Sequence, residues 1–525
     1  MADAPRLVDE LVARVRPLEI EMARAWWESS TRVSPEAEQR RVAADVALRT
    51  LLGDPDAFAE LCRAREHPDR DPQVARQVEL LHHAFLPNQV PAELRRALAE
   101  LEAALDSTYN AFRGTIDGRS VDDNEIAQIL RTSDDEAERR AAWEASKQIG
   151  AEVATRVREL AHLRNRAAHE LGFRDHFALA LASSELDEDR MFSTLAEVDA
   201  ATGAPFAAWK AELDANLVER FSLDTVDDVA PWHLDDPFFQ EPPVAATLDL
   251  DPLFAEADVE ALTLRTYAGL GLDLTPVMTA SDLYPRDGKS QHAFCIDVDR
   301  EGDVRVLCNI EPNERWMGTM LHEFGHAVYD REANPTLPWL LRGAAHPLTT
   351  EGIAMLFGRL TREPEWLRTV AATPDRELRH LEADLAAVRR AALLVFARWV
   401  LVMTHFERGL YADPDADHDG RWWDLVERYQ LVHRPHRSAP DWAAKIHIAL
   451  APVYYQNYLY GELVASQLQA TLRDRAGGIV DRRAAGSHLV DTVFRPGAAR
   501  RWDALLVEAT GEPLTARHLA AELIA

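Results

Sequence analysis

The chain has 525 residues, 47% of them hydrophobic, with 58 basic against 88 acidic side chains and a net charge of −30. Such a length supplies a large buried core, while so acidic a surface repels phosphate backbones and anionic lipid, so neither nucleic acid nor a membrane surface is an expected partner. Three cysteines, Cys62, Cys295 and Cys308, are too few for a disulfide framework and fit a reducing cytoplasm.

The N-terminal stretch "MADAPRLVDELVARVRPLEIEMARAWW" interleaves charges and lacks the apolar core of a signal peptide. No apolar run reaches membrane-spanning length, so a soluble, cytoplasmic protein is expected. Residues 1–225 read as helix after helix. "EAERRAAWEASKQIGAEVATRVRELAHLRNRAAHEL" places apolar residues at helical spacing, with Gly172 as a C-terminal stop. Residues 226–247 break this pattern, because Pro231, Pro237, Pro242 and Pro243 forbid a continuous helix. Trp232, Phe238 and Phe239 are too apolar to stay solvated, so this stretch is expected to cross between two helical lobes.

The strand signal lies in "HAFCIDVDREGDVRVLCNI", residues 292–310, two β-rich runs around Arg300-Glu301-Gly302-Asp303. A turn centred on Glu301 and Gly302 would set Cys295 opposite Cys308, as a cross-strand disulfide or as two packed thiols. Helices then continue to the C-terminus. The expected fold is mostly α with one small sheet.

"TMLHEFGHAVYD", residues 319–330, holds His-Glu-x-x-His. On a helix His322 and His326 are separated by about 40° around the axis, so both imidazoles reach one cation. Glu323 lies between them in angle and can reach a water on that cation. Met317, Met320, Leu321, Phe324, Ala327 and Val328 make this a buried helix, where polar side chains need partners. A catalytic zinc needs a third protein ligand and an open position. "HPLTTEGIAMLFGRL", residues 346–360, offers Glu351, twenty-five residues after His326. Pro347 and Thr349 mark a helix start, which would place Glu351 in the first turn; the helix dipole alone could explain an acid there. Zinc lowers the pKa of water and polarises a carbonyl. Glu323 would then serve as general base, handing the proton on to the leaving amine.

Only four lysines occur: Lys147, Lys210, Lys289 and Lys445. Arginine-favouring codon bias explains the scarcity, and a surviving lysine marks a place where a compact point charge is needed or survives by chance.

These motifs resemble the gluzincin peptidases, specifically the angiotensin-converting-enzyme family of peptidyl dipeptidases and the related thimet oligopeptidase/oligoendopeptidase F family. The likeness spans most of the chain: "PLEIEMARAWWESSTRVS", "LRNRAAHELGFRDHFALAL", "GKSQHAFCIDV" and "WAAKIHIALAPVYYQNYLYGELVASQL". The resemblance implies that Tyr458 and His447 stabilise the oxyanion and that Lys445 and Tyr455 hold a substrate's C-terminal carboxylate. Tyr455 and Tyr458 at i,i+3 spacing also fit plain core packing. His292 and Ala293 match the strand that borders the substrate, whose edge could pair with an extended peptide; a strand-end histidine facing solvent is the alternative. Three positions depart from the family pattern. Asn457 stands where animal relatives carry a chloride-binding arginine. Met355 stands where they carry an aspartate that supports a zinc histidine. The glutamine that helps clamp the carboxylate has no evident counterpart.

The expectation is a single peptidase domain over 1–525, a large helical ellipsoid with a deep substrate cleft and one small β-sheet next to the zinc-site helices. Its parts would be an N-terminal helical lobe (1–225), a Pro-rich crossing segment (226–247) and a zinc-site and substrate-binding portion (248–525). One zinc ion per chain and short peptide substrates are expected, with release of C-terminal dipeptides. An endo-acting oligopeptidase and a catalytically silent peptide-binding protein are the alternatives.

Overall fold

The computed structural model describes residues 4–32, 34–243 and 248–524. The last four residues of the Pro-rich segment, 244–247, lie outside the described residues. Helices dominate, as the helix-forming runs predict. They include α1 (Ala4–Thr31), α2 (Glu136–Glu170), α3 (Glu188–Phe221), α4 (Glu314–Glu332), α5 (Pro347–Gly358), α6 (Asp375–Ala412), α7 (Ile446–Leu450) and α8 (Tyr455–Ala476). No helix among the described residues is long and apolar enough to cross a membrane.

Helix ends follow local chemistry. At the start of α2 the Asp135 side chain accepts hydrogen bonds from the backbone N–H groups of Ala137 and Glu138. At its end Gly172 takes φ 80°. The Gly172 N–H then bonds the His169 carbonyl and the Phe173 N–H bonds the Ala168 carbonyl, a Schellman stop at the glycine the sequence marks.

Among the described residues the strands form two hairpins where one small sheet is expected. Strands β1 (Gly114–Ile116) and β2 (Arg119–Val121) pair antiparallel around Asp117-Gly118, both at positive φ. Asp-Gly is a strong two-residue hairpin signal. Strands β3 (Phe294–Asp297) and β4 (Val304–Leu307) form the expected hairpin in a different register. Cys295 pairs with Val306, not Cys308, and all three cysteines are free thiols. The turn explains the shift. Asp297 Oδ1 accepts from the Arg300 N–H at 2.8 Å, and Asp299 Oδ1 accepts from the Glu301 N–H at 2.8 Å. Arg300 takes φ 55°, so the turn centres one residue earlier than glycine placement alone suggests.

The chain divides into two compact units. The first comprises Met1–Gln89, Asp249–Leu385 and Tyr460–Leu519. It contains α1, the β3–β4 hairpin, α4 and α5. The second comprises Val90–Leu248, Ala386–Leu459 and Ala520–Ala525, and contains the β1–β2 hairpin, α2, α3 and α7. Residues 455–459 of α8 belong to the second unit and residues 460–476 to the first.

Candidate metal centre and carboxylate-binding cluster

In the first unit, α4 starts where the Asn313 side chain accepts from the Trp316 N–H at 2.9 Å. Met317, Met320, Leu321, Phe324, Ala327 and Val328 are fully buried, as the apolar pattern requires. Helix α5 starts at Pro347. His346 caps it, its Nδ1 accepting from the Leu348 N–H at 3.0 Å while its own N–H donates to Thr349 Oγ1 at 3.2 Å. Glu351 is therefore the fifth helical residue and lies in the second turn, not the first as expected. The dipole falls off within the first turn, so it does not account for a carboxylate here.

Glycines let these helices meet. A Cβ on Gly325 would lie 2.8 Å from the Ala354 Cα, so α4 and α5 touch backbone to backbone. A Cβ on Gly352 would lie 2.5 Å from Val464 Cγ1, closing α5 onto the 460–476 part of α8. This double approach carries Glu351 to the histidines. Glu351 Oε2 is 3.7 Å from His322 Nε2 and 3.9 Å from His326 Nε2. One ligand atom from each residue lies within 4.8 Å of the others. Ligand atoms about 2.05 Å from a shared tetrahedral zinc stand about 3.3 Å apart, so small side-chain movements complete the coordination. Two imidazoles and a carboxylate are also a suitable donor set, and the group fits zinc.

Protonation agrees with this. Burial lowers His322 to about 4 and holds His326 well below its usual value, so both rings are neutral at pH 7, the form that binds metal. His326 Nδ1 lies 2.7 Å from Thr350 Oγ1, which orients the ring with Nε2 toward Glu351. Thr350 thus supplies a partner for the His326 imidazole. Thr350→Val is expected to weaken zinc binding about 10- to 100-fold in chelator competition, with the fold retained.

Glu323 is buried on α4 beside this group. Burial and then the Glu351 charge raise its pKa to about 8, opposed by a hydrogen bond from the Cys295 backbone on β3. The hairpin therefore reaches the proposed base directly. His292 is exposed and Ala293 half-buried, just ahead of β3 in the same unit.

The remaining candidates gather in the second unit. Lys445 Nζ donates to Gln240 Oε1 at 2.5 Å, and the Tyr455 hydroxyl stands 3.5 Å from the same oxygen. Burial lowers Lys445 to about 8 against the pull of Asp236 and Glu241. Its ammonium faces the rings of Phe238 and Trp399, each 5.3 Å from the ring centroid. The His447 and Tyr455 rings are 5.0 Å apart, and those of Tyr455 and Tyr458 5.6 Å. Burial raises the Tyr455 pKa, so its hydroxyl stays a donor. Gln240 is the residue that sequence reasoning missed. It ends "DDPFFQ" in the Pro-rich segment, 205 residues from Lys445, and no local pattern marks it.

A family model described as angiotensin-converting enzyme matches residues 1–200 and 283–521, leaving out the stretch that holds Gln240. Among curated proteins no sequence matches the chain. The two matched spans make up most of the 525 residues, and peptides are this family's substrates. The chain belongs to the angiotensin-converting enzyme family and is a zinc metallopeptidase.

Proposed function

We propose that His322, His326 and Glu351 hold one zinc ion and that Glu323 is the general base of peptide-bond hydrolysis. The observation that carries this reading is the convergence of the three ligand atoms within 4.8 Å of one another, with buried Glu323 on the same helix as both histidines. Bound zinc supplies a Lewis acid that polarises the scissile carbonyl and acidifies water. Glu323 takes the water's proton and delivers it to the leaving amine. Tyr458 and His447 donate hydrogen bonds to the developing oxyanion. The stretch at His292 and Ala293, just ahead of β3, pairs with an extended peptide through main-chain hydrogen bonds and so tolerates varied side chains.

Lys445, Tyr455 and Gln240 receive the substrate's C-terminal carboxylate. An ammonium and a phenol donate to a carboxylate, and the Gln240 amide, one N–H of which is held by Asp236 Oδ1 at 3.3 Å, has a second N–H to offer. A free C-terminus held by this cluster is the proposed basis of dipeptide release, as the family resemblance implies. Lys445→Met is expected to raise KM for free-acid peptides about 10- to 100-fold with a smaller effect on kcat, since a charge-assisted hydrogen bond is lost.

The reading is tested by digesting a peptide library with and without a chelator and sequencing the products by mass spectrometry. C-terminal dipeptides that vanish with chelator and with C-terminal amidation support it. Internal cleavage indifferent to amidation supports the endo-acting alternative, and no cleavage by zinc-loaded protein supports a peptide-binding role.

A further inference from the structure

Two non-glycine residues next to the carboxylate-binding cluster occupy left-handed backbone. Phe239 has φ 54° and immediately precedes Gln240; Val453 has φ 54° and lies two residues before Tyr455. A β-branched or bulky residue persists there only where its surroundings over-determine it, and such strain gathers at functional sites. Each of these residues is clamped by a buried polar side chain from elsewhere in the second unit. Gln430, 1% exposed, donates from Nε2 to the Phe239 carbonyl at 2.7 Å and to the Phe238 carbonyl at 3.1 Å. Glu407, also 1% exposed, accepts from the Val453 N–H through Oε1 at 2.8 Å. Gln456 Nε2 closes the second turn on the Val453 carbonyl at 2.5 Å.

The two turns deliver side chains to the same acceptor. Gln240 Oε1 meets both Lys445 Nζ and the Tyr455 hydroxyl. Relaxing Phe239 toward ordinary φ would swing Gln240 away, and relaxing Val453 would move the first turn of α8, which carries Tyr455. A carboxyl group as deeply buried as Glu407 is costly to keep, and what holds it is the Val453 N–H together with the nearby Arg164 charge.

We infer that Glu407 and Gln430 are positioning residues for substrate binding: by clamping Val453 and Phe239 they keep Tyr455 and Gln240 aimed at Lys445. This rests on the reading of Lys445, Tyr455 and Gln240 as a carboxylate-binding cluster. Neither Glu407 nor Gln430 touches substrate. Their effect is on the discrimination between a free carboxylate and its amide.

The test is calorimetric titration of the zinc-loaded enzyme with a dipeptide and with its C-terminal amide. The readout is the ratio of the two affinities. Glu407→Ala and Gln430→Ala are each expected to lower that ratio about tenfold or more while amide affinity and zinc content hold. Glu407→Gln keeps an acceptor oxygen and is expected to keep the ratio. Val453→Gly in the Glu407→Ala background should restore it, because glycine takes positive φ unaided. A purely structural role would lower the melting temperature and leave the ratio alone. An unchanged ratio in both alanine variants overturns the inference; if Glu407→Ala does not fold, Gln430→Ala decides. Lys445→Met separates the two levels. If it abolishes the ratio while the alanine variants keep it, only the positioning role falls; if it leaves the ratio intact, the carboxylate reading falls and takes the inference with it.

Discussion

Glu323→Gln is expected to lower kcat about 10³-fold or more while zinc remains at one per chain. The amide has the shape of the carboxylate and still accepts the hydrogen bond from the Cys295 backbone, so fold and metal site survive. It cannot accept a proton from water, and that step is what disappears. Metal analysis alongside steady-state kinetics checks both halves; turnover near that of the parent would remove Glu323 from the mechanism. The pH profile should carry the same signature. A general base works only when ionised, so with Glu323 in that proposed role the parent enzyme is expected to lose activity as pH falls through its pKa. That pKa is about 8 without metal, where burial and Glu351 both disfavour the charge. A cation seated beside it reverses the balance and moves the acid limb to lower pH. In Glu323→Gln the residual activity should lose that limb.

Glu351→Ala is expected to cost more than a hundredfold in zinc affinity, beyond the loss that follows removal of a supporting partner. Two histidines remain on α4, but two nitrogens alone are a weak set for a structureless approach of the metal. Thermal unfolding gives a clean reading. Zinc at about 100 times its Kd stabilises the parent by about 2.7 kcal/mol, and this shift should vanish in the variant. The shift also has a sign with pH. Glu323 has a folded pKa near 8 against an ordinary 4.5. Its contribution to the metal-free fold is complete below about pH 4.5 and is lost as pH rises through 8. Burial keeps the zinc-site histidines neutral above pH 6, so they add little in that window. The stabilisation by zinc should therefore grow between pH 6 and 8. A shift that persists in Glu351→Ala would place the third ligand elsewhere.

Several features were legible because they are local. His322 and His326 share a flank of α4 through helix geometry alone, and the apolar residues around them announce burial of that helix. Gly172 ends α2 because few other residues adopt its φ so readily. The β3–β4 hairpin was visible in its β-rich runs, but its register was not, since the side chains of Asp297 and Asp299 compete with glycine for the turn centre. The β1–β2 hairpin carries the Asp117-Gly118 turn signal, but strands of three residues each are too short to show a period-two pattern.

By itself the sequence determined the helical class, the imidazole pair, the Glu323 carboxyl between them and a further carboxyl downstream. Only the tertiary structure decided which atoms meet. Glu351 reaches the histidines because Gly325 and Gly352 let three helices close to backbone contact, and Gln240 reaches Lys445 across 205 residues of chain. The physical reason is one of range. Backbone dihedrals fix the positions of residues within a turn or two, whereas contacts between distant segments depend on packing volumes and strained turns that no short pattern encodes.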